Sequence, residues 1–368
     1  MLRKTYVEID RSALRWNLQQ YLKALPPGGE LMAVVKADAY GHGAVEVAKV
    51  SEAEGVSWLG VALVEEGASL RDEGIELPIL VLGPWNQESI PEFSKHQLTP
   101  LIYSLESAQR LQAYGAEHQI YYSVHLKVDT GMGRLGLNRA QLNQFLDTSW
   151  PNLMVEGLSS HLAQSDSGVP QKTLEQIHRF WAINEGIDAH FMPRWQHLAN
   201  SAGTTEFTED QGNLFRVGIG LYGQMPSAHL RKPPELKQAL SFVTQVLQLQ
   251  WFEAGASIGY GGTFVTSRKT RIACIGVGYA DGYSRRLSNC GEVLIGGQRA
   301  PVVGTVCMDL TLVDITDIEG VLLDDEVVLI GKQGDQEILA SELADHVGTI
   351  NYEICCAISK RVPRLYKD

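Results

Sequence analysis

At 368 residues the chain can form one large domain or two ordinary ones, and folding would bury about 75% of its unfolded surface without disulfide staples. Hydrophobic residues at 44% and charged residues at 20% exclude wholesale disorder. A net charge of −12 argues against nucleic acid or an anionic membrane as the main partner. The five cysteines (Cys274, Cys290, Cys307, Cys355, Cys356) are odd in number and late in the chain, which suggests a reducing compartment rather than a disulfide framework. No apolar run approaches the ~20 residues of a membrane span, and MLRKTYVEIDRSALRWNL lacks the apolar core of a signal peptide. A cytoplasmic protein is expected.

From residue 31 to about 223 one pattern repeats: a short apolar run, a turn, then an amphipathic stretch. The runs are MAVVK (32–36), WLGVAL (58–63), ILVLG (79–83), PLIYS (100–104), VHLKVD (124–129), VEGLSSH (155–161), HLAN (197–200) and FRVGIG (215–220). Ser104 and Asn138 stand where helix N-caps belong. Leu142, Phe145 and Leu146 share one helical face, as do Leu174, Ile177 and Trp181. Helical signals are weak after the third and seventh runs. Eight strands alternating with helices predict an α/β fold, an eight-stranded parallel (TIM-type) barrel, with a doubly wound open sheet as the rival.

After RKPPELK (231–237) the grammar changes. Leu247, Leu249 and Trp251 alternate with glutamines, which is period two. EVLIGGQRAPVVG predicts a hairpin turning at Gly296-Gly297, DEVVLIG adds a strand, and short helices are expected near 337–346 and 351–359. The expected organisation is a barrel over 1–237 followed by a mainly β domain over 238–368.

In such a barrel, polar residues at strand ends are site candidates, because the loops there build the active face. Lys36 closes the first apolar run before a Gly-rich turn. In isolation it would read as a surface cap, but at a barrel mouth its amine is a Schiff-base candidate. Tyr40 follows four residues later. Other strand ends carry Lys127, Arg134, His161, Asn200, Ser201 and Arg216. Each alone reads as structural; together they point to one site.

Gly131-Gly133-Gly136 and Gly218-Gly220-Gly223 both match G-x-G-x-x-G after a strand, and Glu156 lies at the distance of the acid of a dinucleotide fingerprint from the first. Against a dehydrogenase, the first match sits fifth in the series and Arg134 interrupts its loop. No histidine or cysteine spacing suits a metal, and no G-x-S-x-G hydrolase elbow is present.

AVVKADAYGHG, HLKVDTGMGRLG, SIGYGGTF, GYADGYSR, VCMDL and NYEICCAISKRVPRLY together resemble the bacterial alanine racemases, pyridoxal-phosphate enzymes, in order and over nearly the whole chain. The resemblance implies a barrel followed by a β domain, working as a head-to-tail homodimer with shared active sites and alanine as substrate. It implies pyridoxal 5'-phosphate joined to Lys36, with Tyr40, Ser201, Tyr352 and the backbone at Gly218 and Ile219 on the phosphate. His161 and Asn200 are expected in the same cofactor site. Tyr260 matches the second catalytic base, supplied by the partner subunit, with His161 as its candidate hydrogen-bonding neighbour. Arg134 would hold the phenolic oxygen and the substrate carboxylate, Met308 would line the substrate site, and Lys127 matches a lysine often carbamylated to N6-carboxylysine.

The residue types suit that chemistry. Inverting Cα needs a proton removed from one face and delivered to the other, which two bases provide. Arg216 matches the arginine that faces the pyridine nitrogen, where a permanent cation disfavours ring protonation. That separates a racemase from a decarboxylase of the same architecture, for which an acid is expected there. A non-catalytic pyridoxal-phosphate carrier resembles the barrel alone and would not need Tyr260 or Met308.

Overall fold

The computed structural model describes residues 3–187, 193–207 and 211–368. It divides into two compact units. One comprises Leu14–Ala39 and Gly43–Leu236; the other comprises the chain up to Ala13, Tyr40–His42 and Lys237–Asp368.

The chain opens with β1 (Tyr6–Asp10). The first unit is then built on β2 (Glu30–Val34), β3 (Trp58–Val61), β4 (Ile79–Val81), β5 (Leu98–Ile102), β6 (Tyr122–Lys127), β7 (Leu153–Ser159), β8 (Trp195–His197) and β9 (Leu214–Val217). Neighbours pair in parallel in the order β8-β7-β6-β5-β4-β3-β2-β9. The two end strands approach through Asn213 N–H to Gln196 O, 3.0 Å, and Gln196 N–H to Asn213 Oδ1, 2.9 Å. The result is a nearly closed eight-stranded barrel, as the alternating runs predict. Every strand ends two or three residues before its apolar run does. Lys36, His161, Asn200 and Ser201 therefore lie beyond the ladder, whereas Lys127 and Arg216 are paired within it, opposite Ser159 and Met32.

Residues two apart on a strand share a face, and the barrel interior is layered accordingly. Met32, Trp58, Leu80, Leu101, Trp195 and Leu214, from six strands, form one apolar layer with Leu82 against it. One step further along their strands the inward positions turn polar, giving His197 after Trp195 and Arg216 after Leu214. Both polar side chains are buried.

The helices follow local chemistry. Ser104 and Asn138 cap Leu105–His118 and Arg139–Leu146, accepting from Ser107 and Gln141 N–H at 3.0 Å each. After β4 and β8, where helical signals are weak, the helices are six residues long (Ile90–Lys95 and Ser201–Glu206). One expected face is wrong. Pro170–Glu185 buries Thr173, Gln176, Ile177, Phe180 and Asn184, leaving Leu174 exposed. The helix turns this way because the Gln176 amide is used: it accepts from Ala163 N–H (2.8 Å) and donates to His161 O (3.0 Å). Hydrogen bonding outweighs the apolar pattern there.

The second unit is mainly β. A 13-residue strand, β10 (Leu240–Phe252), pairs antiparallel with β1, Thr270–Ile275 and Glu326–Gln333. β1 also pairs in parallel with Arg364–Lys367, so both ends of the chain join this sheet. The alternating burial of YVEID, with Val7 and Ile9 fully buried, makes β1 a strand that its short length conceals in sequence. The hairpin Glu292–Ile295 to Gln298–Pro301 turns at Gly296-Gly297, with φ of 58° and 75°. Those left-handed values are what a two-residue hairpin turn demands. Helices Ala340–Val347 and Asn351–Cys356 follow.

The barrel layer gives a direct stability prediction. Leu80 is fully buried, so Leu80→Ala should cost about 2–5 kcal/mol, read as a lower urea midpoint with an unchanged m-value. A loss below ~1 kcal/mol would mean the layer collapses around the gap.

Candidate active site

Lys36 lies two residues beyond the last ladder residue of β2. The backbone then makes a left-handed turn: Ala37, Asp38, Ala39 and Tyr40 have φ of 52°, 54°, 52° and 54°. Each such residue costs about 1–2 kcal/mol for an L-amino acid, so the turn persists only where its polar groups are held. Glu66 holds its start, accepting from Ala37 N–H at 2.6 Å with one oxygen and from Ala62 and Leu63 N–H at 2.8 and 3.2 Å with the other. Asp38 holds its end, taking Ala44 N–H on its carboxylate (2.8 Å) and Gly43 N–H on its carbonyl (2.9 Å). Neither acid stands out in the sequence; the capping position of Glu66, three residues past the end of a strand run, is the signal that could have found it.

Arg216 is the centre of the barrel's polar layer. Nη1 donates to His197 Nδ1 (2.8 Å) and His197 O (2.9 Å). Nη2 donates to Ser160 O (2.8 Å), Leu198 O (3.2 Å) and His161 Nδ1 (3.0 Å). No carboxylate pairs with it, and its Nε–H meets no acceptor among the described residues. Burial lowers Arg216 to about 10, which still leaves a cation at neutral pH. Burial first, then that cation, push His197 and His161 well below the usual imidazole range. Both rings are therefore neutral, and both accept from Arg216 through Nδ1. His197 opens the run HLAN, three residues before Asn200; only the alternation of β8 marks it as inward-facing.

Lys127, at the end of β6, is buried. Burial, then the charges of Arg216 and Arg134, lower its amine to about 7, while Asp129 opposes them and Lys36 adds to them. The charges of Lys36, Arg134 and Lys127 also act on His161, so one neighbourhood gathers these four residues with Arg216. Arg134 itself is exposed, on the loop after β6.

That loop settles the first glycine pattern. Asp129 accepts from Gly131 N–H and Met132 N–H at 2.8 Å and from Gly133 N–H at 2.9 Å. The amides that would cradle a dinucleotide are already occupied by a carboxylate, and Glu156 faces His125 instead.

The second pattern is different. Gly218 N–H donates to Ser201 Oγ at 2.9 Å, leaving the Ser201 O–H as a donor, and Ile219 begins a 3₁₀ turn through Tyr222. Asn200 caps the short helix starting at Ser201, accepting from Gly203 N–H (2.9 Å) and from Ser165 Oγ–H (2.8 Å). Its side chain is thus used to place Ser201.

The other sequence-predicted residues lie in the β unit. The Tyr40 and Tyr352 rings sit 5.9 Å apart. Burial, then Tyr352 and Cys356, push the Tyr40 hydroxyl upward, so it stays a donor. Gly41 must lack a side chain, since a Cβ there would come within 2.4 Å of Cys355 O. Tyr260 is 72% exposed and flanked by Gly259, Gly261 and Gly262, all at positive φ. Thr305 Oγ1 donates to Tyr260 O at 3.0 Å, on the same segment as the exposed Met308. Asp281, fully buried, ties the neighbouring turn by accepting from Arg3 and Arg361. Among the described residues no group of three or more His, Cys, Asp or Glu could hold a metal, and no helix is long and apolar enough to cross a membrane.

Comparison with known proteins agrees with this arrangement of a barrel and a β unit. The family described as alanine racemase, N-terminal domain, matches residues 9–226, and alanine racemase, C-terminal domain, matches residues 239–366. The chain belongs to the alanine racemase family. A relative named alanine racemase from Symbiobacterium thermophilum is 44% identical over 372 residues, covering 99% of this chain and 97% of its own length. The alanine racemase structure from Clostridium difficile 630 superposes with a TM-score of 0.94 at 36% identity, covering 99% of this chain and 96% of that one. The alanine racemase from Bacillus anthracis with bound L-Ala-P gives 0.92 at 37% identity, covering 100% and 95%. The protein is an enzyme of the alanine racemase family.

Within this alanine racemase family member, the left-handed turn after Lys36 should depend on Glu66. Glu66→Ala leaves three N–H groups without their acceptor, each loss costing about 1–3 kcal/mol, and should lower the melting temperature measurably more than Glu66→Gln, which keeps an acceptor. Equal melting temperatures for both variants and the parent would contradict this role.

Proposed function

We propose that the chain interconverts L-alanine and D-alanine in the cytoplasm, as a homodimer using pyridoxal 5'-phosphate, with Lys36 and Tyr260 of the partner subunit as the two bases. Arg216 is the single observation that carries this reading. A buried guanidinium without a carboxylate is expensive for a fold, and its Nε–H is left over after its four Nη hydrogens are shared among five acceptors of the protein. The residues fit the cofactor: a leftover donor and cation for the unprotonated ring nitrogen, and for the phosphate the Ser201 hydroxyl, oriented by Gly218 N–H, with the Ile219 backbone beside it; the family resemblance adds the hydroxyls of Tyr40 and Tyr352.

When bound, pyridoxal phosphate supplies the electron sink that makes the Cα proton removable. The chain's residues do the rest. Lys36 would hold the cofactor, and its amine would carry a proton to or from one face of Cα. Tyr260 of the partner subunit carries the proton at the opposite face. His161, held neutral with its proton on Nε2 because Nδ1 accepts from Arg216, is suited to donate a hydrogen bond to a phenolate oxygen. Asn200 places Ser201. Arg134 binds the phenolic oxygen and the substrate carboxylate, and Met308 lines the substrate. Arg216, donor-only and charged, would disfavour protonation of the ring nitrogen, which would limit delocalisation and favour racemisation over decarboxylation and amine transfer. An acid at this position would have favoured the decarboxylase reading.

Lys127 has the surroundings of a carbamate. Its amine is neutral above about pH 7, so it can attack carbon dioxide, forming the N–C bond and releasing a proton. The product anion replaces an amine crowded by cations and supports Arg134. With carbon-13 bicarbonate, a carbamate resonance should rise with pH through about 7 and vanish in Lys127→Ala. No resonance at any pH would contradict it.

The activity is tested by chiral chromatography. Either pure enantiomer should approach an equal mixture, since mirror-image products have equal free energy; no conversion of either would end this reading. The shared site is tested by mixing. Lys36→Ala and Tyr260→Phe should each be nearly inactive, and subunit exchange at equal amounts should restore about a quarter of the sites. Heterodimers that stay inactive would contradict the partner-supplied base.

A further inference from the structure

Behind Arg216 the polar line continues through two rings to an acid. His197 Nε2 lies 2.8 Å from His125 Nδ1, and His125 Nε2 lies 3.7 Å from Glu156 Oε1. His125 stands two positions before Lys127 on β6 and is fully buried. Its neighbour across the ladder is Gly157. The ring fills the space of a missing side chain there, since a Cβ on Gly157 would come within 2.4 Å of His125 Nδ1. Trp58 meets the ring too, with centroids 5.0 Å apart.

The order of donors follows from Arg216. A guanidinium can only donate, so His197 Nδ1 accepts and the His197 proton is on Nε2. That N–H points at His125 Nδ1, which must accept, placing the His125 proton on Nε2. His125 Nε2 has no hydrogen-bond partner among the described residues; the carboxylate of Glu156, at ion-pair distance, is what faces it. A doubly protonated His125 would set two N–H groups against each other across 2.8 Å. One donor-only group thus dictates both tautomers, and the line ends on an anion.

We propose that Glu156 and His125 are positioning residues for Arg216: Glu156 anchors the Nε2–H form of His125, which braces His197 and so holds the guanidinium in place. This deepens the reading of Arg216 given above and rests on it for its catalytic consequence, while the tautomers stand on geometry alone. Glu156 is the acid that the glycine pattern offered to a dinucleotide; the fold gives it to a histidine.

Histidine ring nitrogen-15 spectra of the holoenzyme, assigned with His125→Gln and His197→Gln, should show both rings neutral with the proton on Nε2. Glu156→Ala should lower kcat on the order of fivefold, leave KM nearly unchanged and shift the cofactor absorption maximum. Glu156→Gln, which keeps an acceptor and the shape, should restore most of kcat and move the His125 Nε2–H resonance. A proton on His125 Nδ1, or a doubly protonated ring, overturns the proposal. Correct tautomers with Glu156→Ala unchanged in kcat and absorption overturn it equally. A parent protein that does not racemise alanine would instead refute the proposed function, with the tautomers still readable.

Discussion

A buried cation that has no counter-ion among the described residues organises the barrel. Arg216 sits one layer above an apolar floor and is held by three backbone carbonyls and two imidazole nitrogens. Removing a charge from water without an opposite charge costs several kcal/mol even after relaxation, so every neighbour is arranged to offset that cost. The neutral histidines follow from it, since a second buried cation beside Arg216 would be worse than a bare ring. So do the tautomers, because a donor-only group accepts nothing.

The same electrostatics extends to the mouth of the barrel. Lys36, Lys127, Arg134 and Arg216 act on one neighbourhood with Asp129 as the opposing acid. Such an excess of positive charge is poor for stability and useful for an anionic ligand. The supporting acids do backbone work: Asp129 ties three amides of its loop, and Glu66 ties Ala37 of the left-handed turn to Ala62 and Leu63 of the next loop. Strain in the turn after Lys36 and a bare cation at Arg216 are both costs that the surrounding hydrogen bonds absorb.

Much of this was legible in the sequence because a barrel writes its strands as separate apolar runs. All eight runs form strands, and Lys36, Lys127, His161, Ser201 and Arg216 stand at their ends. What stayed hidden was set by tertiary contacts. Leu174 follows the helical period but faces solvent, because Gln176 is needed for hydrogen bonds on the buried side. β1 is five residues long and joins strands hundreds of positions away, which no local period reveals. His125 lay two residues from Lys127 on the same face, and its role depends on Gly157, a residue of another strand. Glu156 fitted a nucleotide pattern by spacing alone, a coincidence that only the position of its carboxylate could resolve.

The central claim is that the charge of Arg216 sets what the enzyme does with alanine, and the most direct measurement is the ratio of racemised alanine to keto acid formed by the parent and by Arg216→Glu. With the cation in place, enantiomer exchange should proceed with almost no keto acid. With an acid there, ring protonation becomes favourable, racemisation should slow and keto acid from amine transfer should appear in proportion. A folded, cofactor-loaded Arg216→Glu protein with the parent's rate and the parent's product ratio would contradict the account.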